Sequence, residues 1–364
     1  MLLLLSLVVL FVAIVWLFMQ QPQFGKAPSG NYLEGLKRST NYRDGAFQNL
    51  SHTPALKEGL SYFTVTRKFF FGKSPFVKPP VVLPSAKTDL SLLDPTQDVI
   101  VWFGHSSYFL QLHGKRILVD PVFSGHASPV STSTRSFNGA DVYTVADLPP
   151  IDFLFITHDH YDHLCHKTVA ALRTRVTTVV TGLGVGAHLQ RWGYSSSNII
   201  ERDWNEQVDL GDGFLVTYAP SRHFSGRGFK RNISLWTSFV LQTPDRKLYL
   251  GGDSGYDSHF AAIGAQHGPF DLVILENGQY NEYWKYIHMM PEEVVQAATD
   301  LSAKRLFPVH WSKFALSLHN WDEPIKRVVA EAARKGMPLM YPLIGQVVPL
   351  DDAMQHTEWW HEVK

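Results

Sequence analysis

Five side chains able to bind a metal fall within six consecutive positions, His158-Asp159-His160-Tyr161-Asp162-His163. Imidazole nitrogens and carboxylate oxygens suit zinc and harder divalent cations. A lone cysteine, Cys165, argues against a thiolate-built structural zinc site and leaves no intrachain disulfide. The apolar run Phe153-Leu154-Phe155-Ile156-Thr157 enters the cluster directly, so a buried strand is expected to end where the donors begin. Six residues cannot fill two coordination spheres, and a complete site needs donors from other strand ends. Three are present. His223 follows the strand-like segment 214–219, Asp253 follows 247–250 within Gly251-Gly252-Asp253-Ser254-Gly255, and His310 directly follows 305–309. Donors at the ends of strands in a rigid sheet are held with little reorganisation. Gly251 and Gly252 are expected to let the backbone pass close to the metals.

Taken singly, a histidine at a strand end is usually solvated or satisfied in the core, and Asp253 alone reads as a turn residue. The cluster joined to three further junctions is what points to a metal site. Two metals about 3.5 to 4 Å apart share a hydroxide and clamp the attacking and departing oxygens of a displacement, which is hydrolytic chemistry. An iron oxidoreductase on a similar frame is expected to carry a carboxylate at position 160. Histidine there favours hydrolysis.

The elements that must position these donors are short. Candidate strands cover 98–103, 108–112, 116–119, 153–156, 177–180, 214–218, 238–241, 247–250, 272–275 and 305–309. Helical patterns cover 167–174, 186–192, 291–301 and 323–335. Pro291-Glu292-Glu293 is a favourable helix start. Strands interleaved with helices predict an α/β or α+β sandwich. Residues 20–95, rich in Pro, Lys, Gly and Ser, read as a linking extension before a catalytic domain at 96–350, with a tail at 351–364.

Residues Met1 to Met19 carry no charge and one polar side chain, Ser6. As a helix they span roughly 28 Å, about the thickness of a bilayer core. No basic residue precedes the run and no small-x-small site ends it, so an uncleaved, single-pass anchor is expected rather than a signal peptide. Lys26, Lys37 and Arg38 follow the span, which places the catalytic body in the cytoplasm by the positive-inside rule. Net charge is zero and the pI about 7.3, so no general affinity for nucleic acid is expected.

Further motifs accompany the cluster: Trp102-Phe103-Gly104-His105-Ser106-Ser107, Leu118-Val119-Asp120-Pro121, Gly252-Asp253-Ser254-Gly255-Tyr256, Gly268-Pro269-Phe270-Asp271 and Val309-His310-Trp311-Ser312-Lys313-Phe314-Ala315-Leu316. With these the sequence resembles the metallo-β-lactamase superfamily over about residues 98–345. Within it, the resemblance is to the N-acyl-phosphatidylethanolamine-hydrolysing phospholipase D family and its bacterial relatives. That resemblance implies an αββα sandwich, two mixed β-sheets flanked by helices. It implies that His158, His160 and His223 bind one zinc, that Asp162, His163 and His310 bind a second, and that Asp253 bridges both. Manganese or iron also fits such a donor set. The resemblance gives Asp162 and Asp253 the task of polarising the metal-bridging hydroxide. It puts His288 near the substrate phosphate as oxyanion stabiliser or proton donor, although a histidine capping the next helix would look the same. His105 and Asp120 read as supports rather than ligands. His113, His126, His166, His188, His259, His267 and His319 lack motif context and read as structural or solvent-facing.

The segment Leu275-Glu276-Asn277-Gly278-Gln279-Tyr280-Asn281 departs from the phospholipase pattern and adds polarity beside the expected site. The aromatic residues Tyr280, Tyr283, Trp284 and Tyr286 fit a lipid or sugar channel as well as ordinary packing. The expected activity is hydrolysis of a phospholipid-like phosphodiester. A lactonase acting on a phosphorylated sugar lactone and a non-catalytic, membrane-anchored metal-binding protein are the rivals.

Overall fold

The computed structural model describes residues 1–351 and 356–364. Helix α1 (Leu2–Met19) has 18 residues and no buried side chain, and it is long and apolar enough to cross a membrane. Residues 20–95 are not the linker expected from their composition. Helix α2 (Gly30–Leu36) and a small hairpin of β1 (Tyr42–Arg43) and β2 (Ala46–Phe47) bury Leu36 and Phe47 against Trp204, Leu235 and Trp236. Helix α3 (Tyr62–Phe71) follows, capped at its start by Ser61 Oγ, which accepts from Thr64 N at 3.1 Å. Leu83 and Leu90 then enter the two cores on either side of the first sheet. Prolines and glycines here punctuate docked pieces. The few apolar residues follow neither strand nor helix period, so only tertiary contacts reveal that they are buried.

Alternation sorts the remaining strands. β3 (Val99–Trp102), β4 (Tyr108–Leu112), β5 (Lys115–Val119), β6 (Ile151–Ile156), β7 (Val176–Gly182) and β8 (Ile199–Arg202) belong to one sheet. β9 (Gln207–Asp209), β10 (Leu215–Ala219), β11 (Ser238–Gln242), β12 (Lys247–Leu250), β13 (Leu272–Glu276) and β14 (Leu306–Val309) form the other, and β15 (Val347–Pro349) returns to the first. The orders are β15-β3-β4-β5-β6-β7-β8 and β14-β13-β12-β11-β10-β9, and both sheets mix parallel and antiparallel pairs. Ile100, Trp102, Leu110, Ile117 and Phe155 face Val216, Phe239, Leu248, Ile274 and Phe307 in the central core. The alternate residues Val101, Phe109, Leu118 and Leu154 pack outward on α4 (His166–Leu172) and α5 (Gly186–Arg191). Tyr249, Val273 and Leu275 do the same on α6 (His259–His267), α7 (Pro291–Asp300) and α8 (Glu323–Lys335). The result is the αββα sandwich that the sequence motifs implied.

Strands β1, β2, β8, β9 and β15 and helices α2, α3 and α6 lie outside the sequence-based expectations. β9 is three residues, Gln-Val-Asp, too short to show alternation. The tail is also a correction. Trp359 and Trp360 are buried against Trp311 and belong to the central core, because two bulky indoles find a place there; residues 352–355 of the expected tail lie outside those described.

Candidate metal centre

β12, β13 and β14 are parallel, and β10 runs the same way because two antiparallel steps separate it from β12. Their carboxyl ends, with that of β6, release the chain on one edge of the sandwich, and the donors meet there. His158 Nε2 lies 2.9 Å from His160 Nδ1, and His223 Nε2 lies 3.2 Å from the same atom. Asp253 sits between two groups of nitrogens. Its Oδ2 is 3.8 Å from His158 Nε2, 3.7 Å from His223 Nε2 and 3.2 Å from His163 Nε2. Its Oδ1 is 3.2 Å from His310 Nδ1. The donor atoms of His158, His160, His223 and Asp253 all fall within 4.8 Å of one another, as do those of His105, Asp162, His163 and His310. All seven residues expected as ligands are therefore in one place.

The donor chemistry fits a cation. Buried His163 Nε2 and Asp253 Oδ1 have no hydrogen-bond partner, a costly state that a metal relieves. Burial disfavours a charged His163. Asp253, Asp162 and Asp120 outweigh it and hold that imidazole well above the usual histidine range. Without a metal these carboxylates keep a proton in the site. Burial and histidine neighbours push His158, and burial despite Asp253 pushes His223 and His310, well below the usual histidine range, so they are neutral and able to ligate.

A supporting layer fixes the rings. Asp120 Oδ2 lies 2.7 Å from His163 Nδ1 and accepts from Thr157 Oγ1 at 2.6 Å, which leaves His163 Nε2 for the site. His105 Nε2 is 2.9 Å from Asp162 Oδ2, and Ser106 Oγ is 2.8 Å from His310 Nδ1. His105 N donates to Trp311 O and His310 N donates to His105 O, both at 2.9 Å, tying the two sheets together under the site. His105, Asp120 and His310 all have positive φ (54°, 41° and 69°), strain that this network sustains.

Asp159, the fifth donor of the cluster, turns away. It accepts from Gly226 N and Ser234 Oγ and lies 3.2 Å from His188 Nε2, while His188 Nδ1 accepts from Lys26 N. It anchors the N-terminal segment. Gly251 and Gly252 need correction too. A Cβ on Gly251 would stand 2.5 Å from Ile274 O, and one on Gly252 would stand 2.9 Å from Thr237 O. These glycines allow tight packing between neighbouring strands beneath the donors rather than approach to a metal.

His288 lines the cavity above the donors, with Nδ1 3.5 Å from Glu276 Oε1. Burial opposes its charge, but the Glu276 carboxylate raises it above the usual histidine range. Burial in turn pushes Glu276 up to about 7, so the pair shares a proton near neutral pH. Glu276 also accepts from Met289 N at 2.8 Å. Its polarity therefore stands behind His288 rather than facing the cavity. Within the departing segment it is Gln279 that lines the cavity, where it bonds Phe314 O and Leu316 N.

The cavity measures about 450 Å3. His160, Asp162, His223, Asp253, His288 and His310 form its floor. Leu56, Tyr62, Phe69, Phe224, Trp284 and Leu316 form apolar walls, with Arg231 on one side. Of the four aromatics left open by the sequence, Trp284 lines the cavity. Tyr280 is buried and donates to Glu323, and Tyr286 stacks under Arg222. Sequence reasoning missed Leu56, Tyr62 and Phe69, which come from the supposed linker. It also missed Asn49, whose Nδ2 donates to His223 O at 2.7 Å while its Oδ1 accepts from His223 N at 3.1 Å. No local motif marks these residues. The aromatic content of 62–71 is the only signal.

Residues 115–311 match the model of the beta-lactamase superfamily domain. An uncharacterized protein of Mycobacterium tuberculosis is 40% identical over 335 residues, covering 89% of this chain and 88% of that protein. A metal-dependent hydrolase of Caldivirga maquilingensis is 30% identical over 214 residues, 58% of this chain and 82% of that protein. N-acyl-phosphatidylethanolamine-hydrolyzing phospholipase D 1 of Caenorhabditis elegans is 29% identical over 228 residues, 59% of this chain and 64% of that protein. Among solved structures, a metallo hydrolase from Ignicoccus hospitalis shares the fold with a TM-score of 0.54 at 17% identity, over 70% of this chain and 98% of that one. With its donors gathered at the edge of an αββα sandwich, the chain belongs to the metallo-β-lactamase superfamily and to its metal-dependent hydrolases.

Proposed function

We propose that this protein is a membrane-anchored dinuclear zinc phosphodiesterase acting on phospholipid-like substrates. The observation that carries the reading is the contrast within one cavity: a floor of imidazoles and carboxylates under apolar walls with a single guanidinium, Arg231. An amphiphile with a phosphate head and acyl chains matches both parts. The similarity to a phospholipase D that hydrolyses N-acyl-phosphatidylethanolamine supports the same class, α1 supports an anchor, and Lys26, Lys37 and Arg38 after it favour a cytoplasmic body.

In this reading His158, His160 and His223 would hold one metal, Asp162, His163 and His310 would hold a second, and Asp253 would serve both. Bound there, zinc supplies Lewis acidity, bringing the pKa of water towards neutrality and offsetting phosphoryl charge. The chain's own residues do the rest. Asp162, pinned by His105, and Asp253 orient the attacking water and accept its proton. His288, kept protonated by Glu276, donates a proton to the departing oxygen. Arg231 pairs with the phosphate or headgroup, and the walls exclude bulk water and hold acyl chains.

The test is turnover by metal-loaded protein of N-acyl-phosphatidylethanolamine, a simple aryl phosphodiester and a panel of lactones. Cleavage of the lipid, with weaker cleavage of the aryl ester, is expected. Lactone turnover without phosphodiester cleavage would replace this reading by a lactonase. A metal-loaded protein no different from its Asp253→Ala variant in every assay would leave a binding protein.

A further inference from the structure

We infer that α3 is an interfacial helix that seats the mouth of the cavity on an anionic lipid bilayer. The inference rests on α1 being a membrane anchor but not on which bond is cleaved.

One side of α3 belongs to the cavity: Tyr62 and Phe69 line it, and Val65 and Phe69 are half-buried. The other side faces outward. Phe63 and Phe70, seven residues apart and so on one stripe of the helix, are 78% and 73% exposed, and Phe71 is 86% exposed. Further along the chain Phe76, Val81 and Val82 are exposed as well. Three phenylalanines on ten residues of helix are not a water-facing surface, and contiguous apolar patches mark interaction sites. A ten-residue helix held on one side is also marginal in water, so its outer face needs a partner.

Charge selects the partner. From Gly59 to Thr88 the chain carries five basic residues, Arg67, Lys68, Lys73, Lys78 and Lys87, and no acidic one. Lys87 pairs with Asp147, while among the described residues the other four have no carboxylate partner. Aromatic and apolar side chains interleaved with cations are what the headgroup region of an anionic bilayer accommodates.

Position points the same way. The opposite wall of the cavity, Phe224 and Arg231, closes a loop that carries Phe229, which is 85% exposed. In that loop a Cβ on Gly228 would stand 3.0 Å from Met19 Cε, at the last residue of α1. The end of α1 is clamped to the body. Arg191 Nη2 donates to Gln20 O, Trp192 Nε1 donates to Pro22 O and Arg227 Nη2 donates to Gln23 O. The depth at which α1 leaves the bilayer is thus fixed beside one lip of the cavity, and α3 forms the other.

The experiment uses the full chain reconstituted in vesicles, with a cysteine carrying an environment-sensitive fluorophore in a Phe70→Cys variant. The native Cys165 is buried. A parallel Asp212→Cys variant labels the turn before β10, at the edge away from the donors. Flotation first reports the anchor. In vesicles of phosphatidylglycerol and phosphatidylcholine, the expected result is a blue-shifted probe at 70 quenched by shallow spin-labelled lipid, with a water-like probe at 212. In phosphatidylcholine alone, or with Arg67→Glu and Lys68→Glu added, quenching at 70 is expected to fall at least about twofold as attraction to the anionic surface is lost. Protein that floats while position 70 stays water-like would overturn the inference alone. Equal quenching in neutral vesicles would overturn the anionic partner. Protein that fails to float would overturn the anchor, and the inference with it.

Discussion

The floor and the wall of the cavity are built by different means. The expected ligands follow the ends of sheet strands, and four of them are held by buried partners: His163 by Asp120, Asp162 by His105, His310 by Ser106, His223 by the Ile287 carbonyl. The wall contributed by residues 49–71 touches the body at few points. Asn49 clasps the His223 backbone, Lys57 N donates to Tyr283 O, and Arg222 reaches Thr53 and the His52 carbonyl. A preorganised floor fixes a reaction type, because a displaced ligand cannot relax into another arrangement. A loosely attached apolar wall fixes access and substrate shape and can vary while the chemistry stays. Floor substitutions should therefore lower kcat, and wall substitutions should change KM and substrate preference.

The harshest test of that division is Asp253→Ala. It removes the one carboxylate between both donor groups and should lower kcat/KM by about 10^2- to 10^3-fold, the scale of losing a principal electrostatic group at an active site. Metal content measured on the same protein should drop. Undiminished turnover would break the comparison at its base. Chelation comes next. A metal that binds only the folded chain stabilises it by about 4 kcal/mol when free metal is a thousandfold above its Kd, so calorimetry should show a large fall in Tm. The pH dependence has a definite sign. His158, His223 and His310 have folded-state pKa values below the usual one, so at these rings protons do not compete until the pH falls below about 6.5, whereas His163, held above the usual range by its carboxylate neighbours, must exchange a proton for metal at higher pH. On titration from pH 8, metal should leave the group containing His163 first and the group of His158, His160 and His223 only below that point.

Two smaller effects sharpen the boundary between floor and wall. His105→Ala leaves Asp162 without its buried partner and should cost about 10- to 100-fold in activity or metal affinity, as for other groups that orient ligands. Glu276→Gln removes the carboxylate that holds His288 above the usual range and leaves burial, which lowers it. If His288 is the acid, rates fall as pH rises through its pKa. The alkaline limb of the pH–rate profile should then move to lower pH. An unmoved limb would take His288 out of proton transfer. The smallest effect belongs to the wall. Leu56→Ala should raise KM for long-chain substrates by about 10-fold, in line with about 1 to 2 kcal/mol of lost apolar contact, at nearly unchanged kcat. A fall in kcat of the same size would mean that the wall also positions the reacting atoms.

How much of this was legible beforehand follows the same division. The floor could be read because each donor sits just after a short apolar run, and a strand followed by a donor is a local pattern. His158, His223, Asp253 and His310 all carry that signature. Asp120 was legible through the adjoining strand and proline. Glu276 was visible as an oddity, yet its role depends on a ring twelve residues later that only the fold brings near. The wall was illegible. Leu36, Phe47, Leu56 and Phe69 follow no period, and their burial comes from partners more than a hundred residues away, such as Trp204 and Trp236. Proline and glycine content was a misleading cue, since those residues shape the turns of a docked segment as readily as a free one.

The Asn49 clasp bears on how this molecule can be divided. Residue 49 lies between the hydrophobic helix and the first sheet, and its side-chain amide meets both backbone groups of a residue beside the metal centre. The smallest autonomous unit of this enzyme therefore does not begin where the sandwich begins. A soluble version cut after Met19 keeps the clasp, whereas one cut at residue 96 leaves the His223 backbone open to water. Evolution faces the same boundary as the molecular biologist's scissors: any exchange of the N-terminal apolar helix for another segment must rejoin the chain upstream of Asn49.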